Sequence, residues 1–217
     1  MKKFILPLVL LLAIGMLAAV QSEASDVVGY VKYDCYAGVN YIALPLGTVT
    51  LAEDIGTLHL PLVTSIYKWN ATAQGWTSIS YDAEYEEWGG TMPVVNGDVI
   101  VMASTGPFSF YSLGDVAVNS PYSIKTGYNR ISLPLDRSDV VDAATIGDEI
   151  GGQTAIYKWS NVLQGWTSIS YDQEYEEWGG VMPISIGDPI VTGSTVETTW
   201  PAAAKQINSK TIKTNSK

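Results

Sequence analysis

Along most of the chain, apolar and polar residues alternate with the two-residue period of strands half buried on a core. In VKYDCY, Val31, Tyr33 and Cys35 alternate with Lys32, Asp34 and Tyr36. A glycine turn follows at Gly38, then Ile42 and Leu44 alternate with Tyr41 and Ala43. The second half of the chain repeats this join at Gly127. Leu-Pro-Leu ends the second strand, because Pro45 and Pro134 lack the N–H that a central ladder needs. The alternation then breaks. In TLAEDIGT, Thr50 stands three residues before Glu53, the spacing of a capping box, and predicts a short helix. Its counterpart SDVVDAATIGDEIGG places Val140, Ala144 and Ile146 at helical intervals and ends in glycines.

Alternation resumes in SIYKW and WTSISY, which flank a small, polar turn at Gly75, and in AIYKW and WTSISY around Gly165. Aromatic and β-branched residues on both sides of such a turn predict a hairpin. A Gly-Asp turn (Gly97-Asp98, Gly187-Asp188) then launches VIVMAS in one half and PIVTGS in the other. The last strand carries Phe108–Tyr111 in the first half and ends at Trp200 in the second.

The two halves are near copies. Tyr67–Pro93 aligns with Tyr157–Pro183 without a gap, and 21 of the 27 positions match. GVNYIALPL and GYNRISLPL align upstream with one residue less of offset. Two copies are too few for a propeller or solenoid, so the expected fold is mainly β. It consists of two tandem, homologous, small β-barrel- or β-sandwich-like modules over residues 25–117 and 118–201, each with one short helix. The tail, residues 202–217, has no apolar periodicity and reads as disordered.

The motifs G-x-N-x-I-x-L-P-L, W…QGW and G-D-x-x-V resemble those of tandem β modules in secreted and surface proteins of Gram-negative bacteria, most without an assigned activity. The likeness covers nearly all of the chain after its leader, but its motifs are short and structural in kind. It implies an extracellular, non-catalytic module and transfers no catalytic residue. A fainter likeness of YKW…QGW to kelch hairpins is outweighed by the lack of further repeats.

Composition narrows the partners. Lys2 and Lys3 precede an apolar run, Phe4–Val20, and small residues stand at Ser22 and Ala24. This is the pattern of a secretory signal over residues 1–24, cut after Ala24. The alternative, an uncleaved anchor, is disfavoured because Gln21-Ser22-Glu23 follows without a basic flank, and no cysteine at the cut marks a lipoprotein. No membrane span is expected after cleavage, and the protein belongs outside the cell or at its surface, with the periplasm also open. From Ser25 to Pro201 the chain has 6 Lys and Arg against 21 Asp and Glu. That excess repels phosphate backbones and argues against nucleic acid. Cys35 is the lone cysteine and aligns with Ile124, which points to a buried, unpaired thiol.

Chemistry is limited by what is missing. His59 is the only histidine and aligns with Glu149, so neither a histidine-based triad nor a His-rich zinc site can be built in one chain. Carboxylates remain, in YDAEYEEW and its copy. Strand spacing would place Asp82, Glu84 and Glu86, with Asp172, Glu174 and Glu176, on one face. An acidic edge that discourages strand-to-strand association is one reading. A calcium site is a second, without a recognised loop to support it. A hydrolytic acid pair is the least favoured, since such pairs face each other across a cleft.

The aromatics recur as Trp69/Trp159, Trp76/Trp166 and Trp88/Trp178, with Trp200 aligned to Phe110. Trp69 and Trp76 flank one turn and are expected to pack across it. Trp88 with Tyr85, and Trp178 with Tyr175, are the candidates for a stacking surface against an extracellular glycan or a surface protein. No cofactor is expected, calcium being the open possibility. The reading is a secreted, non-catalytic structural or binding protein, with a carbohydrate-binding module as the alternative.

Overall fold

The computed structural model describes residues 28–46, 50–116 and 121–201. The leader expected over residues 1–24 and the tail expected over 202–217 lie outside the described residues. In the first half, β1 (Val28–Cys35), β2 (Gly38–Ala43), β3 (Thr50–Leu51) and α1 (Ala52–Thr57) lead into β4 (Val63–Asn70) and β5 (Gly75–Asp82). These are followed by β6 (Glu87–Trp88), β7 (Pro93–Val94), β8 (Val99–Ser104) and β9 (Phe108–Asp115). The second half runs β10 (Tyr122–Ile124), β11 (Gly127–Ser132), α2 (Ala143–Ile150), β12 (Gln153–Ser160) and β13 (Gly165–Asp172). It ends with β14 (Glu177–Trp178), β15 (Pro189–Ser194) and β16 (Thr198–Trp200).

The protein is mainly β. Two five-stranded antiparallel sheets have the orders β2-β8-β4-β5-β6 and β11-β15-β12-β13-β14. Two-stranded ribbons β1-β9, β10-β16 and β3-β7 complete the pairing. No barrel closes among the described residues, contrary to the barrel-like expectation. The reason is local: β6 and β14 are only two residues long and end each sheet. Meanwhile β1 turns away at a corner and pairs with β9 rather than with its neighbour in sequence, β2. The asparagine of the G-x-N motif makes that corner. Asn40 is fully buried and holds Tyr36 through both ends of its amide, accepting from Tyr36 N and donating to Tyr36 O at 2.8 Å each. Asn129 does the same for Lys125.

Each half has its own core. Ile42, Leu44, Ile55, Ile66, Met102 and Phe110 pack together in the first. Ile131, Leu133, Ile146, Ile156, Met182 and Trp200 do so in the second. Full burial of one such side chain contributes about 1.5–3 kcal/mol. Phe110 and Trp200, aligned in sequence, are both buried. Cys35 is buried and free, pairing in register with Phe108.

Both helices form, but the first does so without the expected cap at Thr50. Leu51 is the N-cap of α1 and supplies no side-chain bond, while Thr50 pairs with Val94 in the β3-β7 ribbon. The Glu53 carboxylate instead accepts from Met92 N at 3.1 Å, tying the helix to the returning chain. In α2 the N-cap Asp142 accepts from Ala144 N through one oxygen and from Met182 N through the other. Val140 is buried ahead of α2 rather than within it.

Candidate functional site

The acidic segment is a turn, not a strand face. β5 ends at Asp82 and β6 begins at Glu87, and Glu86 takes a left-handed conformation with φ of 55°. Asp82 Oδ1 accepts from Glu84 N and Tyr85 N at 2.8 and 3.3 Å, folding the chain back on itself. Asp172 repeats this with Glu174 N and Tyr175 N, and Glu176 repeats the φ. The expected alignment of Asp82, Glu84 and Glu86 on one face, and of Asp172, Glu174 and Glu176 on another, is therefore overturned by turn chemistry. Among the described residues, no three acidic, histidine or cysteine side chains gather into a metal site.

The pairing of Trp88 with Tyr85 is not made either. Trp88 packs at a tilt beside Tyr81, with ring centroids 5.6 Å apart, and Trp178 meets Tyr171 edge-on at 5.3 Å. Tyr85 and Tyr175 stand about 70% exposed at the turn tips. Each tryptophan lies across a helix instead. The ring of Trp88 covers Gly56 and its Nε1 donates to Thr57 Oγ1 at 3.1 Å. Trp178 covers Gly147 and donates to Asp148 Oδ1 at 2.9 Å. A Cβ at either glycine would overlap the indole, so glycine is what lets ring and helix meet. Trp178 also forms a wall of a 280 Å³ cleft shared with Asp148, Gly152, Gln153, Tyr171 and Gln173.

The remaining repeated residues join the two halves. Trp69 and Trp76 sit opposite each other in register with centroids 5.3 Å apart, as expected. Yet Trp76 and Trp166 are each 45% exposed, so their role is not burial under the hairpin. Gln74, held at φ of 49° in the hairpin turn, accepts from Tyr128 N at 2.7 Å and donates to Tyr128 O at 3.0 Å. Trp69 Nε1 donates to the same carbonyl at 2.8 Å. The other half reciprocates. Gln164 accepts from Val39 N, and Trp159 Nε1 donates to Val39 O. Asn161 adds bonds to both backbone groups of Tyr41. The side chains thus satisfy edge strands β2 and β11, whose unpaired backbone groups would otherwise recruit another strand. Gly38 and Gly127, with φ of 109° and 98°, let the glutamines approach.

Into each tryptophan pair goes one side chain from the opposite half. Tyr41 meets Trp159 and Trp166 with centroids 5.4 and 4.9 Å away. At the aligned position Arg130 lies 4.1 and 4.2 Å from the ring centroids of Trp69 and Trp76, a double cation–π contact. Burial pulls the Arg130 pKa down, and the adjacent Tyr41 hydroxyl opposes it. A second tier uses tyrosines. The Tyr33 hydroxyl is 3.0 Å from Gly187 O, and that of Tyr122 is 3.2 Å from Gly97 O. The Gly-Asp turns therefore serve the joint as well as the sheet, where Asp98 and Asp188 pair with Lys68 and Lys158.

Sequence reasoning placed Gln74, Gln164 and Arg130 in no site. The available signal was the invariance of Gln-Gly-Trp between copies, which hairpin formation alone does not demand. No protein family, curated protein or solved structure matches the chain.

Proposed function

We propose that this is a secreted, non-catalytic structural or binding protein, two copies of one β module joined into a unit that works outside the cell or at its surface. The observation that carries this reading is the reciprocal joint. Residues repeated between the copies, Trp69, Gln74 and their counterparts, engage backbone of the other half rather than a cleft. Asp82 and Asp172, the first carboxylates of the acidic turns, fold their own backbone. The signal-like leader and the resemblance to extracellular tandem modules point the same way.

Recovery from the culture medium tests the location: the intact mass should begin at Ser25. Calorimetry of that material should give one unfolding transition, which Gln74→Ala with Gln164→Ala splits or broadens. Retention inside the cell with residues 1–24 uncut would refute the secreted reading. Two independent transitions in the unaltered protein would refute the joined unit.

A further inference from the structure

We infer that the second half carries a binding site for one residue of a neutral glycan, in the cleft between the end of α2 and the β13-β14 turn. This names a ligand class for the binding protein proposed above and rests on that reading. The starting point is four of the positions at which the two halves differ. Trp88 donates to Thr57, whereas Trp178 donates to Asp148, so these two positions correspond. Thr105 N donates to Leu62 O and Thr195 N to Gly152 O, which equates Leu62 with Gly152. Val63 and Gln153 pair with Ser104 and Ser194 at the same register, and Ala83 aligns with Gln173. All four replacements in the second half, Asp148, Gly152, Gln153 and Gln173, line one cleft of 280 Å³.

Their chemistry converges. The Leu62 side chain is absent at Gly152, where Val196 instead comes within 2.8 Å of the place a Cβ would take. The neighbouring Gly151 leaves open space, since a Cβ there would meet nothing within 4 Å. Gln153 is 4% exposed where the first half buries a valine. Its Nε2 donates to Gly151 O at 3.2 Å, while its Oε1 meets no protein donor. An unmet buried acceptor opposes folding, and of the buried polar atoms without a protein partner Gln153 Oε1 is the one on a residue that lines this cleft. Asp148 gives one oxygen to Trp178, and a carboxylate accepts through two.

Trp178 and Tyr171 supply aromatic walls tilted at 65° to each other. Acceptors, amides and an aromatic face in a small cleft suit a pyranose, which has hydroxyls on its rim and C–H groups on its faces. The volume, 280 Å³, falls just below the usual 300–1,000 Å³ for ligand pockets, so one sugar residue is the most it holds. Asp148, with no basic residue lining the cleft, disfavours an anionic sugar or phosphate.

The test uses the full chain on an array of neutral gluco-, galacto-, manno- and N-acetylglucosamine oligosaccharides, followed by titration of the best binder. The informative variant gives the second half the residues of the first, Asp148→Thr with Gln173→Ala, which the fold already accommodates at those positions. Melting temperature should fall by no more than about 2–4 °C while affinity falls at least tenfold. Ala83→Gln in the first half should leave affinity unchanged.

Undiminished binding by the double variant would overturn the site, as would no binding to any array member at millimolar concentration, or capture of peptides in place of sugars. Failure here leaves the secreted, joined unit standing, since its own test reads mass and unfolding. New reducing ends on a bound glycan would instead refute the non-catalytic reading while keeping the cleft.

Discussion

Replacing Gly147 with alanine sets two effects of opposite sign against each other. Within a helix, alanine is favoured over glycine by about 0.5–1 kcal/mol, so propensity alone stabilises the variant. The structure requires the reverse. The new Cβ would stand 2.6 Å from Trp178 Cη2 and overlap Cζ2, so the indole must move. Overpacking of this kind costs about 1–3 kcal/mol. Movement also breaks the bond from Trp178 Nε1 to the Asp148 carboxylate. A hydrogen bond to a charged partner is worth about 1.5–3 kcal/mol, with the lower end apt for the exposed Asp148. The net expectation is destabilisation of about 2–4 kcal/mol. For Gly56→Ala, where Trp88 bonds only the Thr57 hydroxyl, it is about 1–3 kcal/mol. Urea unfolding followed by tryptophan fluorescence measures both. Stabilisation of either variant, or equal loss from an alanine at exposed Thr145, would show that the indole does not depend on the glycine.

Three further outcomes follow from the geometry. Burial pushes the Cys35 thiol up to about 12, so a thiol reagent at pH 8 should react slowly with native protein and quickly in denaturant, and fast native labelling would contradict this. Arg137 holds Glu149 below the usual carboxylate range, by bonds of 2.9 and 2.6 Å, with Trp200 Nε1 adding a third. A depressed carboxylate stabilises the fold above its unfolded pKa of about 4.3 and loses that contribution as pH falls through the lower folded value. Melting temperature should therefore drop across that acid range, and drop less in Arg137→Gln. Finally, Trp69→Ala removes the Tyr128 bond and one face of the Arg130 clamp, and should cost about 3 kcal/mol, whereas Tyr85→Ala should cost under about 0.5 kcal/mol. Equal losses from the two would undo the distinction between joint and turn tip.

Much of this was legible in the residues. Period-two alternation marked the strands, and the Gly-Asp and Leu-Pro-Leu punctuation marked where they start and stop. The buried Cys35 and the match of Phe110 with Trp200 followed from alignment of the halves. What misled was the carboxylate run. Asp82, Glu84 and Glu86 have strand spacing, but the Asp82 side chain bonds backbone two and three residues on, and that local bond outcompetes extension. Capping at Thr50 failed similarly, because a ladder partner at Val94 claimed the residue. The joint was hidden because its contacts span 25 to 154 residues, and no periodicity encodes which hairpin meets which edge.

The difference between Tyr41 and Arg130 has a consequence for partner choice. A self-complementary surface of this kind is saturated by two members. Such a surface would also let identical halves of two molecules pair with each other. In the mixed pair the Tyr41 hydroxyl abuts the Arg130 guanidinium. Two second halves would instead bring two guanidiniums together in a site that already strips them of water, and like charges there exclude the match. One substitution at one repeated position thus disfavours the pairing of two second halves and leaves the mixed pair as the better match.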